Sequence, residues 1–586
     1  GRASAKTGPG RLTPFQAAYA GGWTTGEKPA PSIDVAELRF GSPVLWEVPD
    51  TEDAPRVSDP GPTDQTRLVR SIGEAFIGAR LPSPRRPWMP ELAQIYDLAR
   101  LPQRTDTKLV IGVADLPHRQ AQEPVSFLPD IDGHLAIYGT GGSGKSTALR
   151  TLAISAGITP RGGIVDVYGL DFGSGGLRML EPLPHVGAVI AGDDSERVVR
   201  LFRMLQAELT RRAALFGEAR ASTIDDYRAS MGSEDLARIL LLVDGFPAFR
   251  AEYEVGAGRA EWYAAFLQLL SDGRPFGIHI ALTADRAASV PSAVGASISR
   301  RVVLRLAEET GYTLLNVEDD ILSPTSPSGR AIIDGWETQI AVLGGSRSTV
   351  DQVRAIADLG ATIAARRRPA EQVRALPRKV LLSELPTAVE GEPVLGISDE
   401  TLEPVGFEPA GAMLIAGAPS SGRTNALLSL ASALSRAQPE SELYFIGGKR
   451  SRLAGLALWT QTALDIDETT SLARELSARV GGESVPHIAV FVEGFSDFLS
   501  TPADAALVEL IKLIKRSDHF FVAEAETAGW GSSWPLLGEV KSARRGIILQ
   551  PDPMDGDQIM RTPFPKVSRA EFPPGRGYLV RGGRVT

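Results

Sequence analysis

Apolar and polar positions follow two rhythms along this chain of 586 residues. Short apolar runs, Leu135-Ala-Ile-Tyr138, Gly163-Ile-Val-Asp-Val-Tyr-Gly-Leu170, Ile239-Leu-Leu-Leu-Val243 and Ile278-His-Ile-Ala-Leu-Thr283, are bounded by glycine and polar residues and read as buried strands. Between them, residues 148–153 and 196–216 carry apolar side chains at helical spacing. Apolar strands separated by helices predict a mostly parallel sheet covered on both faces, an α/β fold.

The pattern occurs twice, in the same order. Ile111-Gly-Val-Ala-Asp115 and Glu123-Pro-Val-Ser-Phe127 correspond to Leu395-Gly-Ile-Ser-Asp399 and Glu403-Pro-Val-Gly-Phe407. Downstream, Ile239-Leu-Leu-Leu-Val-Asp244-Gly-Phe-Pro-Ala-Phe249 corresponds to Ile488-Ala-Val-Phe-Val-Glu493-Gly-Phe-Ser-Asp-Phe498, and Pro327-Ser-Gly329-Arg330 to Pro573-Pro-Gly575-Arg576. Two tandem domains of one fold are expected. Gly1-Arg2-Ala3 and Phe15 to Gly22 resemble residues 329–331 and 339–345, so the N-terminus reads as the tail of a third copy. Each tail is followed by a helical stretch and a Pro/Arg-rich linker, Pro82-Ser-Pro-Arg-Arg-Pro87 or Arg366-Arg-Arg-Pro-Ala370.

Each copy carries a glycine-rich loop between a predicted strand and a predicted helix. The first, Gly139-Thr140-Gly141-Gly142-Ser143-Gly144-Lys145-Ser146-Thr147, is a complete G-x-x-x-x-G-K-[ST] phosphate loop. Its glycines let backbone N–H groups close around a β-phosphate, and the helix start adds partial positive charge. Lys145 is expected to reach the β- and γ-phosphates of ATP, and Ser146 to hold Mg²⁺. Asp244, ending the next buried strand, is the expected carboxylate partner of the metal. A glutamate that would polarise the attacking water is expected next, and Gly245 stands there instead, so slow hydrolysis is predicted. Thr283 or Asp285 is placed to sense a γ-phosphate or to form a turn, and Arg300 and Arg301 are candidates for an arginine acting on a neighbour's nucleotide.

The second loop, Gly417-Ala-Pro-Ser-Ser-Gly422-Arg423-Thr424, keeps the glycines and the hydroxyl but has arginine in place of lysine. A planar guanidinium is bulkier than an ammonium and crowds the γ-phosphate position. Glu493 is one methylene longer than Asp244. A degenerate site is expected.

Composition narrows the partners. The chain has no cysteine, which removes disulfides and thiolate metal sites, and its six histidines show no ligand spacing. A net charge of −9 argues against a broad DNA-binding surface. A length of 586 residues accommodates about three or four domains, and no apolar run reaches membrane-spanning length. The start at Gly1, without methionine, reads as a piece of something longer.

Leu170-Asp171-Phe-Gly-Ser-Gly-Gly-Leu-Arg178, Leu183-Pro-His-Val-Gly187, Asp193-Asp-Ser-Glu-Arg197, Gly217-Glu-Ala-Arg-Ala-Ser-Thr-Ile224 and Phe276-Gly-Ile-His-Ile280 complete a set that resembles the FtsK/SpoIIIE-type ATPases, within them the EccC/EssC motors of type VII (ESX) secretion. The resemblance covers almost the whole chain. It implies tandem P-loop NTPase domains of RecA-like, FtsK type: residues 1–90 as the tail of an upstream ATPase domain plus linker, 91–348 as the domain with the intact loop, 349–378 as linker, and 379–586 as the domain with the degenerate loop. It also implies hexameric assembly with other copies, membrane partners, a place on the cytoplasmic side of the cell membrane with an N-terminal anchor, and export of small helical-hairpin proteins that dock through a C-terminal signal. DNA is an unlikely partner on the charge argument above.

Overall fold

The computed structural model describes residues 2–8, 11–16, 22, 41, 62–82, 89–102, 104–159, 163–256, 259–365, 368–482, 485–564 and 572–585. The linker at 83–88, the arginines at 366–367 and most of residues 17–61 lie outside the described residues. The chain divides into two units, Gly1–Met89 and Pro90–Thr586. In the first, β1 (Arg2–Gly8) and β2 (Arg11–Gln16) pair antiparallel, and Thr63 caps a helix over Asp64–Gly78.

The second unit holds two large sheets. The strands of the first are β3 (Leu109–Leu116), β4 (Ala121–Phe127), β5 (Leu135–Tyr138), β6 (Val165–Asp171), β7 (Val186–Ala191), β8 (Arg238–Asp244), β9 (Ile278–Ala284), β10 (Arg300–Leu304), β11 (Arg330–Ile333) and β12 (Trp336–Ile340). They lie in the order β4-β3-β12-β11-β10-β5-β9-β8-β6-β7. From β10 to β7 every pairing is parallel, whereas β10-β11-β12-β3-β4 is antiparallel. The central strands β5, β6, β8 and β9 are buried along their whole length, which is why they read as unbroken apolar runs.

Alternate residues of β8 serve opposite layers. Leu241 and Val243 pack in the cluster that holds Phe202, Phe249 and Phe266, while Leu240 and Leu242 pack with Leu149 and Leu152 of the helix Lys145–Gly157. The three phenylalanines are fully buried, each contributing about 1.5–3 kcal/mol relative to exposure. A single charged substitution in β8 would therefore disrupt one layer completely.

A small sheet of β13 (Ala388–Val389), β14 (Glu392–Ile397) and β15 (Pro404–Gly406) precedes the second large one. That sheet comprises β16 (Gly411–Gly417), β17 (Glu442–Ile446), β18 (Gln461–Ala463), β19 (Ile488–Val492), β20 (Phe520–Glu526), β21 (Arg545–Leu549), β22 (Gly577–Arg581) and β23 (Arg584–Val585), ordered β18-β17-β19-β20-β16-β21-β22-β23. Read strand for strand, this repeats β7-β6-β8-β9-β5-β10-β11-β12 of the first sheet, with the same parallel core and antiparallel edge. The internal repeat in the sequence is thus a repeat of topology, and the α/β class with mostly parallel sheets holds.

Between the sheets, Ser348 caps a helix over Thr349–Ala364, whose Ile356 is buried against the first sheet's core. Residues 370–373 then line that sheet: Ala370 N donates to Pro184 O, Tyr168 Oη donates to Glu371 O, and Val373 joins the core.

Candidate functional site

The parallel strands end side by side, so register gathers their last residues. Asp171 lies opposite Asp244, and Tyr138 opposite Ala284. Beyond β5 the chain turns through Gly139 to Gly144 into the helix Lys145–Gly157. Gly144 has φ +110°, a conformation L side chains rarely adopt, and a Cβ there would sit 2.9 Å from Gly329 N. That close approach lets Gly329 N donate to Ser143 O at 2.8 Å, fastening the loop from behind. The first N–H groups of the helix are left facing outward, the arrangement that attracts phosphate.

Lys145 Nζ donates to Gly139 O at 2.7 Å and Thr140 O at 3.1 Å, and pairs with Asp285 Oδ1 at 2.7 Å. Ser146 Oγ donates to Asp244 Oδ2 at 2.6 Å. Thr283 Oγ1 donates to Asp244 Oδ1 at 2.6 Å and accepts from Gly245 N at 2.8 Å, so both oxygens of the buried Asp244 are fixed. Asp171 accepts from the backbone N–H groups of Gly173, Gly175 and Leu177, which folds the glycine-rich turn beside Asp244. With those bonds made, Asp171 supports the loop and has no oxygen directed to a proton-transfer task. Thr147 and Gly176 O receive Arg150, whose pKa is lowered by burial.

These residues fit the groups the motif implies. The hydroxyl of Ser146 and the carboxylate of Asp244 are hard oxygen donors suited to Mg²⁺, with nucleotide phosphates completing its shell. Among the described residues no group of three or more His, Cys, Asp or Glu side chains could hold a metal ion. The glycine cradle and helix start suit the β-phosphate.

Gly245 is a structural requirement. Its φ is +79°, and a Cβ at this position would lie 3.0 Å from the backbone C and O of Phe172. No glutamate occupies the position after Asp244, in keeping with the sequence.

The second loop repeats the backbone and changes the charges. Gly422 has φ +102°, and Gly575 N donates to Ser421 O at 2.8 Å, as Gly329 does in the first loop. Thr424 Oγ1 donates to Glu493 Oε1 at 2.9 Å, so the extra methylene of Glu493 still allows the hydroxyl contact. Arg423 Nη1 donates to Gly417 O at 2.9 Å, its Nε pairs with Glu524 Oε1 at 2.7 Å, and its Nη2 with Glu526 Oε1 at 3.3 Å. Glu524 occupies the register position of Thr283, since Ile415 pairs with Glu524 as Ile137 pairs with Thr283. Glu524 is 4% exposed and burial pushes its pKa up, while Gly494 N donates to its other oxygen at 3.0 Å.

Arg300 and Arg301 are not brought to the phosphate loop of their own chain. They start β10 opposite Leu135 and Ala136, at the far end of the strands from the loop. Arg300 is tied to Asp132 at 3.8 Å and to Asp334, and Arg301 reaches Leu315 O at 3.5 Å. The residue after β10 that meets the loop is Arg305, through its backbone carbonyl, which accepts from Thr140 N at 2.9 Å, while its guanidinium donates to Pro324 O at 2.7 Å. Sequence reasoning also passed over Glu524 and Glu526. Their signal was two acids within an otherwise apolar run, Phe520-Phe-Val-Ala-Glu-Ala-Glu526.

Residues 98–321 match the FtsK/SpoIIIE family. The chain is 25% identical to the ESX-4 secretion system protein EccC4 of Mycobacterium tuberculosis, a match covering 98% of this chain and 48% of that protein. It thus spans about half the length of that curated relative, and less than two thirds of the next ones it matches. The fold superposes with a TM-score of 0.66 on the cytoplasmic domain of the Thermomonospora curvata type VII secretion ATPase EccC, at 22% identity over 100% of this chain and 69% of the other. It also superposes, with a TM-score of 0.61 at 24% identity over 86% of this chain and 95% of the other, on T. curvata EccC (ATPases 2 and 3) in complex with a signal sequence peptide. With the loop, the carboxylate of Asp244 beside it and the duplicated sheet already in place, residues 98–321 carry the FtsK/SpoIIIE match and the chain as a whole is similar to the EccC/EssC-type ATPases of ESX secretion.

Proposed function

We propose that this chain is an ATP-binding motor segment of a type VII secretion system, in which the first loop takes Mg-ATP and turns it over slowly. The observation that carries the reading is the convergence of Lys145, Ser146 and Asp244 on one loop while Gly245 leaves the attacking water without a base. Calorimetry on the full chain tests it. Lys145→Ala should abolish nucleotide binding, and steady-state turnover should stay below about 1 s⁻¹, an ordinary enzymatic rate. Retained affinity in the variant, or faster turnover, would refute it.

In this reading residues 91–348 form the nucleotide-binding domain, 349–378 connect, and 379–586 form a domain freed from hydrolysis by Arg423 and Glu493. The second domain is the better receptor for an exported helical-hairpin protein's C-terminal signal, because a degenerate site leaves its fold free for binding. A short helix in a groove binds at about micromolar Kd. A labelled signal segment titrated against the full chain, with hydrogen exchange locating protection, tests this. Protection confined to residues 91–348, or no binding, would defeat it. Assembly into a hexamer, in which Arg300 or Arg301 faces a neighbour, would raise avidity for such segments. Among the described residues no helix is long and apolar enough to cross a membrane, and a place on the cytoplasmic side of the cell membrane is part of the same reading.

A second reading, a nucleotide-holding scaffold with negligible hydrolysis, is favoured by the Arg423–Glu524 pairing and by Gly245. Turnover by the assembled full-length motor separates the two. A DNA translocase is opposed by the net charge of −9, and salt-dependent retention on DNA would reinstate it.

A further inference from the structure

An ammonium has three donors, and those of Lys145 are all engaged: Gly139 O, Thr140 O and Asp285 Oδ1. Two of these acceptors are carbonyls of the loop itself. The third is a carboxylate on a side chain that is 69% exposed and free to swing outward. It is the one charged partner and the one that can leave. A γ-phosphate oxygen is the ligand that Lys145 would take in its place.

The second loop repeats the arrangement independently. Glu526 pairs in register with Gly417, the first residue of that loop, and Asp285 follows Ala284, whose carbonyl accepts from Gly139 N. Each loop cation therefore meets an acidic residue from the end of the neighbouring parallel strand, Asp285 for Lys145 and Glu526 for Arg423. In the second loop the buried Glu524 adds another carboxylate to the same guanidinium.

We propose that Asp285 is a specificity-determining residue that stands in for a γ-phosphate oxygen at Lys145, so that the first site penalises ATP relative to ADP. ADP asks Lys145 for one donor only, to its β-phosphate, which either loop carbonyl can release while the Lys145–Asp285 pair stays intact. ATP must displace Asp285 and then sits beside its negative charge. Carboxylate and γ-phosphate compete for one ammonium, and the exposed position of Asp285 makes the competition sensitive to salt. The proposal rests on the reading of the first loop as a nucleotide site.

Binding of MgADP and of a non-hydrolysable MgATP analogue to the full chain, measured by calorimetry at low and at raised salt, tests it with Asp285→Asn and Asp285→Ala. Both variants should bind the ATP analogue about fivefold more tightly, ~1 kcal/mol, with ADP affinity unchanged, and the gain should shrink at raised salt. Equal shifts for both nucleotides, or none, would overturn the role of Asp285 while leaving nucleotide binding standing. A wild-type chain that binds neither nucleotide would overturn both.

Discussion

Arg576 Nη1 donates to Glu196 Oε2 at 2.7 Å, joining the loop behind the second glycine-rich turn to the first turn of the helix Ser195–Ala219 of the first sheet. Leu376 N donates to the other oxygen of Glu196 at 2.8 Å, and Arg200 reaches Asp399 at 2.5 Å beside it. Glu196 thus holds the segment around Leu376 and the loop behind the second glycine-rich turn at one point. Both partners are partly exposed, which discounts the pair's strength. Glu196→Ala should loosen the packing of the two sheets by about 1–2 kcal/mol, the scale of hydrogen bonds to charged groups after that discount. Limited proteolysis of residues 366–378 is the measurement, and unchanged cleavage would show that the contact contributes little.

Gly245→Glu puts the missing water-polarising carboxylate where a hydrolase would have it. The backbone opposes the change. With φ at +79° and a Cβ 3.0 Å from the main chain of Phe172, the substitution must move the glycine-rich turn that Asp171 folds. A loss of stability of about 1–3 kcal/mol is expected, with no gain in turnover. Thermal unfolding and single-turnover kinetics check it together, and a stable variant with raised turnover would show that the turn yields.

What was legible in the sequence follows from how locally each feature is specified. Continuous apolar runs gave β5, β6, β8 and β9 because strands buried on both faces need no polar alternation. The phosphate loop was legible because Gly142 and Gly144 take positive φ, a local requirement that L side chains rarely meet. The antiparallel edge β11-β12-β3-β4 was not, since the pairing that joins its two local hairpins, β12 to β3, brings together residues more than two hundred positions apart. The clamp on Arg423 was missed for the same reason: Glu524 acquires its role from register with Ile415, and strand pairing is invisible in the local pattern. Arg300 and Arg301 were read as candidates to act on a neighbour's nucleotide, and the parallel register of β10 with β5 sets them at the end of the sheet away from their own loop.

Two buried histidines at that far end make stability depend on pH. Burial pushes His134 down to about 4 and His279 down to about 3, from an ordinary value of 6.5. Arg274 beside His134 and Arg238 beside His279 act in the same direction. His134 Nδ1 accepts from Ile280 N at 3.0 Å, and protonation would set two donors against each other there. Because the folded values are depressed, the stabilising contribution is complete above the unfolded value of 6.5 and is lost as pH falls from 6.5 towards about 4 and about 3. At pH 5 the loss is on the order of 2 kcal/mol per histidine. Urea unfolding at pH 7.5 and pH 5 measures it, and His134→Asn, which keeps an acceptor for Ile280 N without titrating, should flatten the slope. An identical slope in that variant would place the pH dependence elsewhere.

Restoring the second nucleotide site requires more than restoring its lysine. Arg423→Lys alone leaves Glu524 buried beside a shorter cation, with Glu526 still competing for it. The ammonium would remain neutralised in place, and nucleotide affinity should change less than about twofold, within the ~0.4 kcal/mol of a screened contact. Pairing Arg423→Lys with Glu524→Thr supplies the hydroxyl that Thr283 provides in the first site, where it accepts from Gly245 N as Glu524 accepts from Gly494 N. Adding Glu493→Asp then rebuilds the hydroxyl and carboxylate pair of Ser146 and Asp244. In a Lys145→Ala background, which silences the first site, the triple variant should gain Mg²⁺-dependent nucleotide binding that Arg423→Lys alone lacks. Equal binding by the single and triple variants would show that the acidic clamp does not control this loop, and that the guanidinium alone sets its behaviour.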